Sequence, residues 1–366
     1  MKHLNLTKNN PKKLNLNSYG YHGTKSPPEG LSVGRVTEVQ RDMYTVITEY
    51  GEARSVLKGS FVRDAVIRAD LPCTGDFVLL SYNHSGPSQI VQLLPRRSKF
   101  SRSDTFGHSF AHIKSNKEQV LAANFDYVFI LTSLNRDFNT NRILRYLTQT
   151  RQSGGQGVVI LTKADLAPDF DVWLEELNEA APGVPVHAIS SHTGYGLENL
   201  HDYLKPGKTV VFLGMSGVGK SSLLNVLAGE DLAAVRETRK EDASKGSHTT
   251  THRELFMLPT GAMIIDTPGM RELGLFDAGE GISEGFSDVE ELFSRCKFRD
   301  CKHEKEPGCA VKAALKNGEL HRTRYEQYLV QQRENRYFEN KTSFLRERTE
   351  FHKSIIKSLR GKKNTR

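Results

Sequence analysis

Residues 214–221 read GMSGVGKS, a glycine-rich octapeptide ending in a lysine and a hydroxyl residue. The spacing G-x-x-x-x-G-K-[ST] suits the cradling of a phosphate chain. Gly214 and Gly219 let the backbone N–H groups of Met215, Ser216, Gly217 and Val218 turn inward with no Cβ in the way. A helix opening at Lys220 adds its partial positive charge. Lys220 offers a point charge to the β- and γ-phosphates, and the hydroxyl of Ser221, followed by Ser222, can ligate Mg²⁺. The apolar VVFL before the motif and SSLLNVLAG after it supply the strand and helix that separate a phosphate loop from an ordinary glycine turn.

Three further segments belong to the same chemistry. DTPG (266–269) follows the apolar AMII, so Asp266 stands at a strand end where it can hold the Mg²⁺ water shell, and Gly269 can offer its N–H to the γ-phosphate. Between the two motifs lies GSHTTTHREL (246–255), where Thr250 can place its hydroxyl on Mg²⁺ and its N–H on the γ-phosphate; such contacts order a loop in the triphosphate state. Upstream, TKADL (162–166) follows GVVIL. Asp165 can accept from guanine N1–H and the exocyclic amine, which adenine lacks. Lys163 can cover a base face, with Thr162 and Ala164 completing the segment. AISSHTG (188–194) brings Ser190 and Ser191 to a second strand end, where backbone N–H groups can close over guanine O6. Together these favour GTP over ATP.

A separate constellation is Cys296, Cys301, His303 and Cys309, spaced C-x₄-C-x-H-x₅-C. Three thiolates and an imidazole form a closed tetrahedral set that suits Zn²⁺ and leaves no position for water, so one structural zinc is expected. The fourth cysteine, Cys73, reads as a small buried hydrophobe.

These residues need elements to position them. At 366 residues the chain is long for one domain. Residues 1–30 are rich in Asn, Lys, Gly and Pro and read as a basic disordered arm. Over 31–95, LSVGRVTEVQ, MYTVITEY, EARSVLKG, DFVLLSY and SQIVQLL alternate apolar and polar residues between turn signals. They predict a five-stranded OB-like barrel, with an SH3-like barrel as the alternative. LLPRRSKFSR (93–102) reads as a basic linker. From about residue 120, nearly continuous apolar strands (DYVFILTS, GVVILT, VPVHAIS, KTVVFLG, RELFML, AMIIDT) alternate with helices, predicting a parallel sheet covered on both faces. Helical segments surround the Cys/His cluster. The expected architecture is multidomain: barrel at 31–95, α/β domain at 96–285, zinc-binding helical domain at 286–340 and basic tail at 341–366.

The order is unusual. In Ras-like GTPases the base-reading motifs follow the phosphate-reading ones; here they precede them, as in a circularly permuted chain. That order, with barrel, ANFDYVFIL (123–131), TKADL, GMSGVGKSSLLN, HTTT, DTPG and the Cys/His cluster, resembles the ribosome small-subunit-dependent GTPase A family over roughly residues 31–330. The resemblance implies a P-loop GTPase stimulated by the small ribosomal subunit and acting late in its maturation. Two departures stand out. Thr162 replaces the usual Asn, and a hydroxyl lacks the two-sided bonding of an amide. Met270 stands where Ras-like enzymes carry a water-orienting Gln. His248, at the start of HTTT, is therefore expected to orient water, with Lys220 and Thr250 completing the catalytic set.

The net charge of +8 is uneven. Residues 1–30 hold five lysines against one glutamate, and 341–366 hold nine Lys/Arg against two glutamates, which leaves the middle slightly acidic. Basic ends suit a polyanion, here rRNA. No apolar run approaches a membrane span, and four cysteines in this length fit a reducing compartment, so a cytoplasmic monomer without membrane contact is expected, with GTP/GDP and the small subunit as partners. A GTP-dependent metal chaperone and a P-loop kinase are the alternatives. The closed ligand set argues against transferable metal, and TKADL, DTPG and the threonine run argue against the kinase.

Overall fold

The computed structural model describes residues 13–24, 26–40, 42–102, 118–134, 138–167, 169–229, 253–266 and 279–336. The chain divides into two compact units: Met1–Phe138, Ser153–Phe170 and Pro185–Glu272 form the first, and Asn139–Gln152, Asp171–Val184 and Leu273–Arg366 the second. These units run across the boundaries expected at 95 and 285, which remain sequence expectations.

In the first unit, strands β1 (Ser32–Gln40), β2 (Met43–Thr48), β3 (Gly51–Leu57), β4 (Phe77–Ser81) and β5 (Ser88–Leu93) close in the order β1-β2-β3-β5-β4-β1. The β3–β5 pair is parallel and the other four are antiparallel. This is the OB-like arrangement, with a short helix α1 (Gly59–Asp64) after β3. A bulge between Val36 and Glu38 lets β1 serve two partners, pairing Ser32–Arg35 with β4 and Gly34–Gln40 with β2. Alternate side chains Val36, Tyr44, Val46, Val78, Leu80 and Ile90 fill the barrel.

The sheet holding the motifs runs β10-β9-β8-β11-β13-β12, from β8 (Tyr127–Ser133), β9 (Gln156–Thr162), β10 (Val186–Ala188), β11 (Thr209–Leu213), β12 (Glu254–Met257) and β13 (Met263–Asp266). Five strands are parallel. The all-parallel expectation fails at β12, which is antiparallel to β13 because a short turn closed by Gly261 N–H to Leu258 O joins them. All five residues of β11 are buried, as an apolar run in a central strand requires. Helix α4 (Lys220–Ala228) sends Leu223 and Leu224 into the core with Phe129, Val158, Ile160 and Phe212.

Two regions are more ordered than the sequence suggested. Within the arm expected to be disordered, Leu16–Tyr19 form a 3₁₀ turn that Gly20 ends at φ 74°, and Leu14 N–H donates to Glu49 O. Within the expected basic linker, β6 (Lys99–Arg102) pairs with β7 (Gln119–Ala123), and Phe100 stacks on Phe125 at 4.9 Å. Arg96 grips the buried Asp76 carboxylate through Nε at 2.8 Å and Nη2 at 2.7 Å, so this basic residue serves packing.

Arg35 ties these pieces together. It is fully buried on β1, and its guanidinium donates to the carbonyls of Gly75 (3.3 Å), Tyr19 (2.5 Å) and Asn124 (3.0 Å). It also contacts Met263 Sδ on β13 at 3.3 Å and lies over the Phe77 ring. Burial, with the charge of Arg97, lowers its pKa to about 9, so it stays protonated at neutral pH. The neighbouring pairing of Glu38 with Glu254 joins β1 to β12 directly.

The second unit is helical: α2 (Thr140–Gln152), α3 (Asp171–Ala180), α5 (Gly279–Gly285), α6 (Ser287–Ser294), α7 (Ala310–Asn317) and α8 (322–336). The buried Arg324 of α8 donates to Ala180 O, Gly285 O and both oxygens of Asp288, and packs over Phe286 at 4.1 Å. Arg145 of α2 forks onto Glu334 at 2.9 and 2.5 Å. Among the described residues no helix is long and apolar enough to cross a membrane.

Candidate nucleotide site and metal centre

Strands β11, β9, β10 and β13 deliver the phosphate loop, TKAD, Ser190–Ser191 and Asp266 to the carboxyl edge of one sheet, where α/β folds place their ligands. The loop leaves β11 at Gly214, whose φ of 151° and close approach to β8 both demand glycine: a Cβ would sit 2.5 Å from Leu131 O. Gly219, at φ 98°, turns the chain into α4. Between them Val218 is buried in the core and anchors the loop, while Met215, Ser216 and Gly217 are exposed with Ser221 and Ser222 beyond. Lys220 Nζ donates to Gly214 O at 2.8 Å and Met215 O at 2.6 Å, so its ammonium stays within the loop.

The base-side segment is bonded to that loop. Thr162 Oγ1 donates to Val218 O at 2.6 Å, and Lys163 Nζ donates to Gly217 O at 2.8 Å. Lys163 is left-handed at φ 62°, a conformation that costs a non-glycine residue about 1–2 kcal/mol. That turn leads into the 3₁₀ segment Ala164–Leu166, which carries the exposed Asp165. Ala164 N–H donates to Ile189 O, linking TKAD to the AISS strand end. The buried Ser190 hydroxyl accepts from His192 N–H and Thr193 N–H at 3.2 Å each, shaping the loop beside Ser191. Thr162, Lys163, Ala164, Ser190 and residues 214–222 are thus brought together, with Asp266 two strands from β8. His248, Thr250, Gly269 and Met270 lie outside the described residues.

The metal centre is built locally. One ligand atom each from Cys296, Cys301, His303 and Cys309 falls within 4.8 Å of the others. His303 Nδ1 lies 3.6 Å from Cys296 Sγ and 3.5 Å from Cys309 Sγ. With Zn–S of about 2.3 Å and Zn–N of about 2.0–2.1 Å, the edge of a tetrahedron is about 3.6 Å, so the donor set fits zinc. Cys309 caps α7, its sulfur accepting from Lys312 N–H, and Ala310 N–H points at Cys296 Sγ at 3.4 Å. His303, also at φ 62°, stacks on Phe293 at 4.4 Å. Burial pushes both the Cys296 and Cys301 thiols up. Amide donors from Ala310 and Val311 outweigh it at Cys296 and leave that thiol low, whereas Cys301, beside two other sulfurs, rises to about 11. Three crowded sulfurs cannot all carry charge unless a cation neutralises them.

A family model described as RsgA GTPase matches residues 93–276. A protein of Listeria monocytogenes serotype 4b, named small ribosomal subunit biogenesis GTPase RsgA 2, is 47% identical over 338 residues, covering 92% of this chain and 93% of its own. The chain belongs to the RsgA GTPase family. The solved structure of YjeQ from Thermotoga maritima is 28% identical, with TM-score 0.62 over 83% of this chain and 98% of that one. YloQ, described as a circularly permuted GTPase, shares the fold at 24% identity and TM-score 0.60, covering 85% and 98%.

As an RsgA family member the chain is an enzyme that hydrolyses GTP. Its permuted motif order and strand order agree: β11, which leads into GMSGVGKS, lies between β8 and β13, although β9, which leads into TKAD, comes earlier in the chain. The sequence reading missed the carbonyl partners of Thr162 and Lys163, the Phe293 ring on His303, and Arg35. Backbone carbonyls leave no trace in residue type. Arg35 precedes Val36, which fills the barrel, so it lies on the opposite face of β1, where the alternation gives no sign that a charge is buried.

Proposed function

We propose that this GTPase turns over GTP in response to the small ribosomal subunit, late in that subunit's maturation, and binds rRNA through its barrel, Cys/His helical region and basic ends. The observation that carries the reading is the 47% identity, across 92% of the chain, to a protein named for small-subunit biogenesis. The site chemistry supports it. Lys220 and the loop N–H groups would hold the β- and γ-phosphates. Ser221 and Thr250 would hold Mg²⁺, with Asp266 at its water shell, and Asp165 would read guanine, with Ser190 and Ser191 around O6. Cys296, Cys301, His303 and Cys309 would hold one structural zinc. A bound Mg²⁺ would neutralise charge on the transferring phosphate.

The β12–β13 hairpin lies between the threonine run and DTPG; its first strand pairs with barrel strand β1 at Glu38 and Glu254, and Thr74 Oγ1, in the loop before β4, donates to Arg253 O. This link supports an rRNA affinity that follows the nucleotide state: contacts made with GTP are released after hydrolysis. The protein would act as a cytoplasmic monomer.

The test is GTP turnover with small subunits, large subunits or neither, in the wild type and in His248→Ala. Small subunits should stimulate wild-type turnover. His248→Ala should keep GTP binding and lose that stimulation. Turnover indifferent to small subunits would refute the reading, and undiminished stimulation in the variant would refute the role of His248.

A further inference from the structure

Thr162 ends β9 with its side chain buried. Its hydroxyl oxygen lies 2.6 Å from Val218 O in the phosphate loop and 3.3 Å from Thr132 O on β8. Both neighbours are acceptors, and a hydroxyl carries one proton. The shorter contact takes it, leaving Thr162 with lone pairs alone. Lys163 gives one of its three ammonium protons to Gly217 O at 2.8 Å. Two successive side chains of the base-side segment therefore hold the phosphate loop, and Asp165, exposed, is the carboxylate left for the base.

Guanine presents two kinds of edge. N1–H and the 2-amine are donors that a carboxylate can read. N7, on the five-membered ring, is an acceptor and needs a donor facing it. Thr162 has no proton to give. We infer that this site recognises guanine by its six-membered ring without reading N7, and that Thr162 is a positioning residue of the phosphate loop. The accepted substrates then include guanine nucleotides in which N7 is replaced by carbon. The inference rests on the proposed guanine-reading role of residues 162–166.

Calorimetric titration of the full chain with GDP, 7-deaza-GDP, IDP and ADP tests it. GDP and 7-deaza-GDP should bind within about twofold of each other, while IDP, which lacks the 2-amine, and ADP should bind at least about tenfold more weakly. A preference of about fivefold or more for GDP over 7-deaza-GDP would overturn the inference. Equal binding of GDP and ADP would instead overturn the guanine reading itself, so the two failures are distinct.

Substitutions sharpen the test. Thr162→Asn supplies two N–H protons, one for Val218 O and one for N7, and should create a preference of about fivefold for GDP over 7-deaza-GDP. An unchanged ratio there would count against the one-proton account. Thr162→Val should weaken GDP and 7-deaza-GDP equally, by about tenfold, as the loop loses its tether. Thr162→Ser, which keeps the donor, should recover most of that loss. Full affinity in Thr162→Val would remove the positioning role.

Discussion

The base-side turn and the Cys/His cluster each hold a non-glycine residue at φ 62°, Lys163 in one and His303 in the other. The strain is the same; its enforcement is not. Lys163 is held by groups far away in sequence: its ammonium binds Gly217, and the following Ala164 N–H binds Ile189 O. His303 is held within residues 293–309, by sulfurs on either side and the Phe293 ring. One site is a product of sheet topology and the other of local spacing. They should therefore fail independently.

The largest effect should come from the local site. Structural zinc is worth on the order of 10 kcal/mol to small domains. Chelation should thus release about one zinc per chain and strip exchange protection from residues 296–320, while guanine-nucleotide affinity changes by no more than about twofold, as for distant sites. Metal analysis with exchange mass spectrometry reads both arms, and a collapse of nucleotide binding on zinc loss would break the comparison.

Next comes Lys220→Ala. If the Lys220 charge serves the phosphates as proposed, its removal should cost about 100-fold in turnover and leave zinc content unchanged. A smaller effect follows from Arg35→Met. The carbonyls of Tyr19 and Asn124 lose the Arg35 donor while Gly75 O keeps Asn124 Nδ2 at 3.2 Å, and leaving a buried acceptor unpaired costs about 1–3 kcal/mol, offset in part by removing a buried charge. A net loss of about 2 kcal/mol in denaturant unfolding is expected. It should fall on the transition that reports the sheet and barrel, with metal binding intact.

The two sites were also legible to different degrees. The four metal ligands could be read from spacing because every contact lies within one short segment. The phosphate loop could be read because glycine and lysine at fixed offsets answer one requirement. The barrel strands showed in their alternation. What stayed hidden depends on partners that carry no residue signature. Thr162 looked like a weakened base reader, and its bond to Val218 O required the fold. Strand β6 carries Lys99 and Arg102, and four residues are too few for periodicity to outweigh a basic composition. Arg35 is a charge without a buried carboxylate hydrogen-bonded to it, satisfied by carbonyls from segments that its own strand does not predict.

The permuted strand order also sets a timetable for synthesis. Strands β8 and β9 are made before β11, yet β11 is the neighbour that covers one edge of β8. At about 5–20 residues per second, that apolar edge waits roughly 5–15 seconds for its partner. Exposed edges invite wrong pairing, and the barrel emerging first leaves β1 open at Glu38, where β12 pairs later. The base-side segment is thus complete in the chain long before the loop that gives it meaning. A nascent chain can grip no nucleotide between the two until β11 and α4 have arrived.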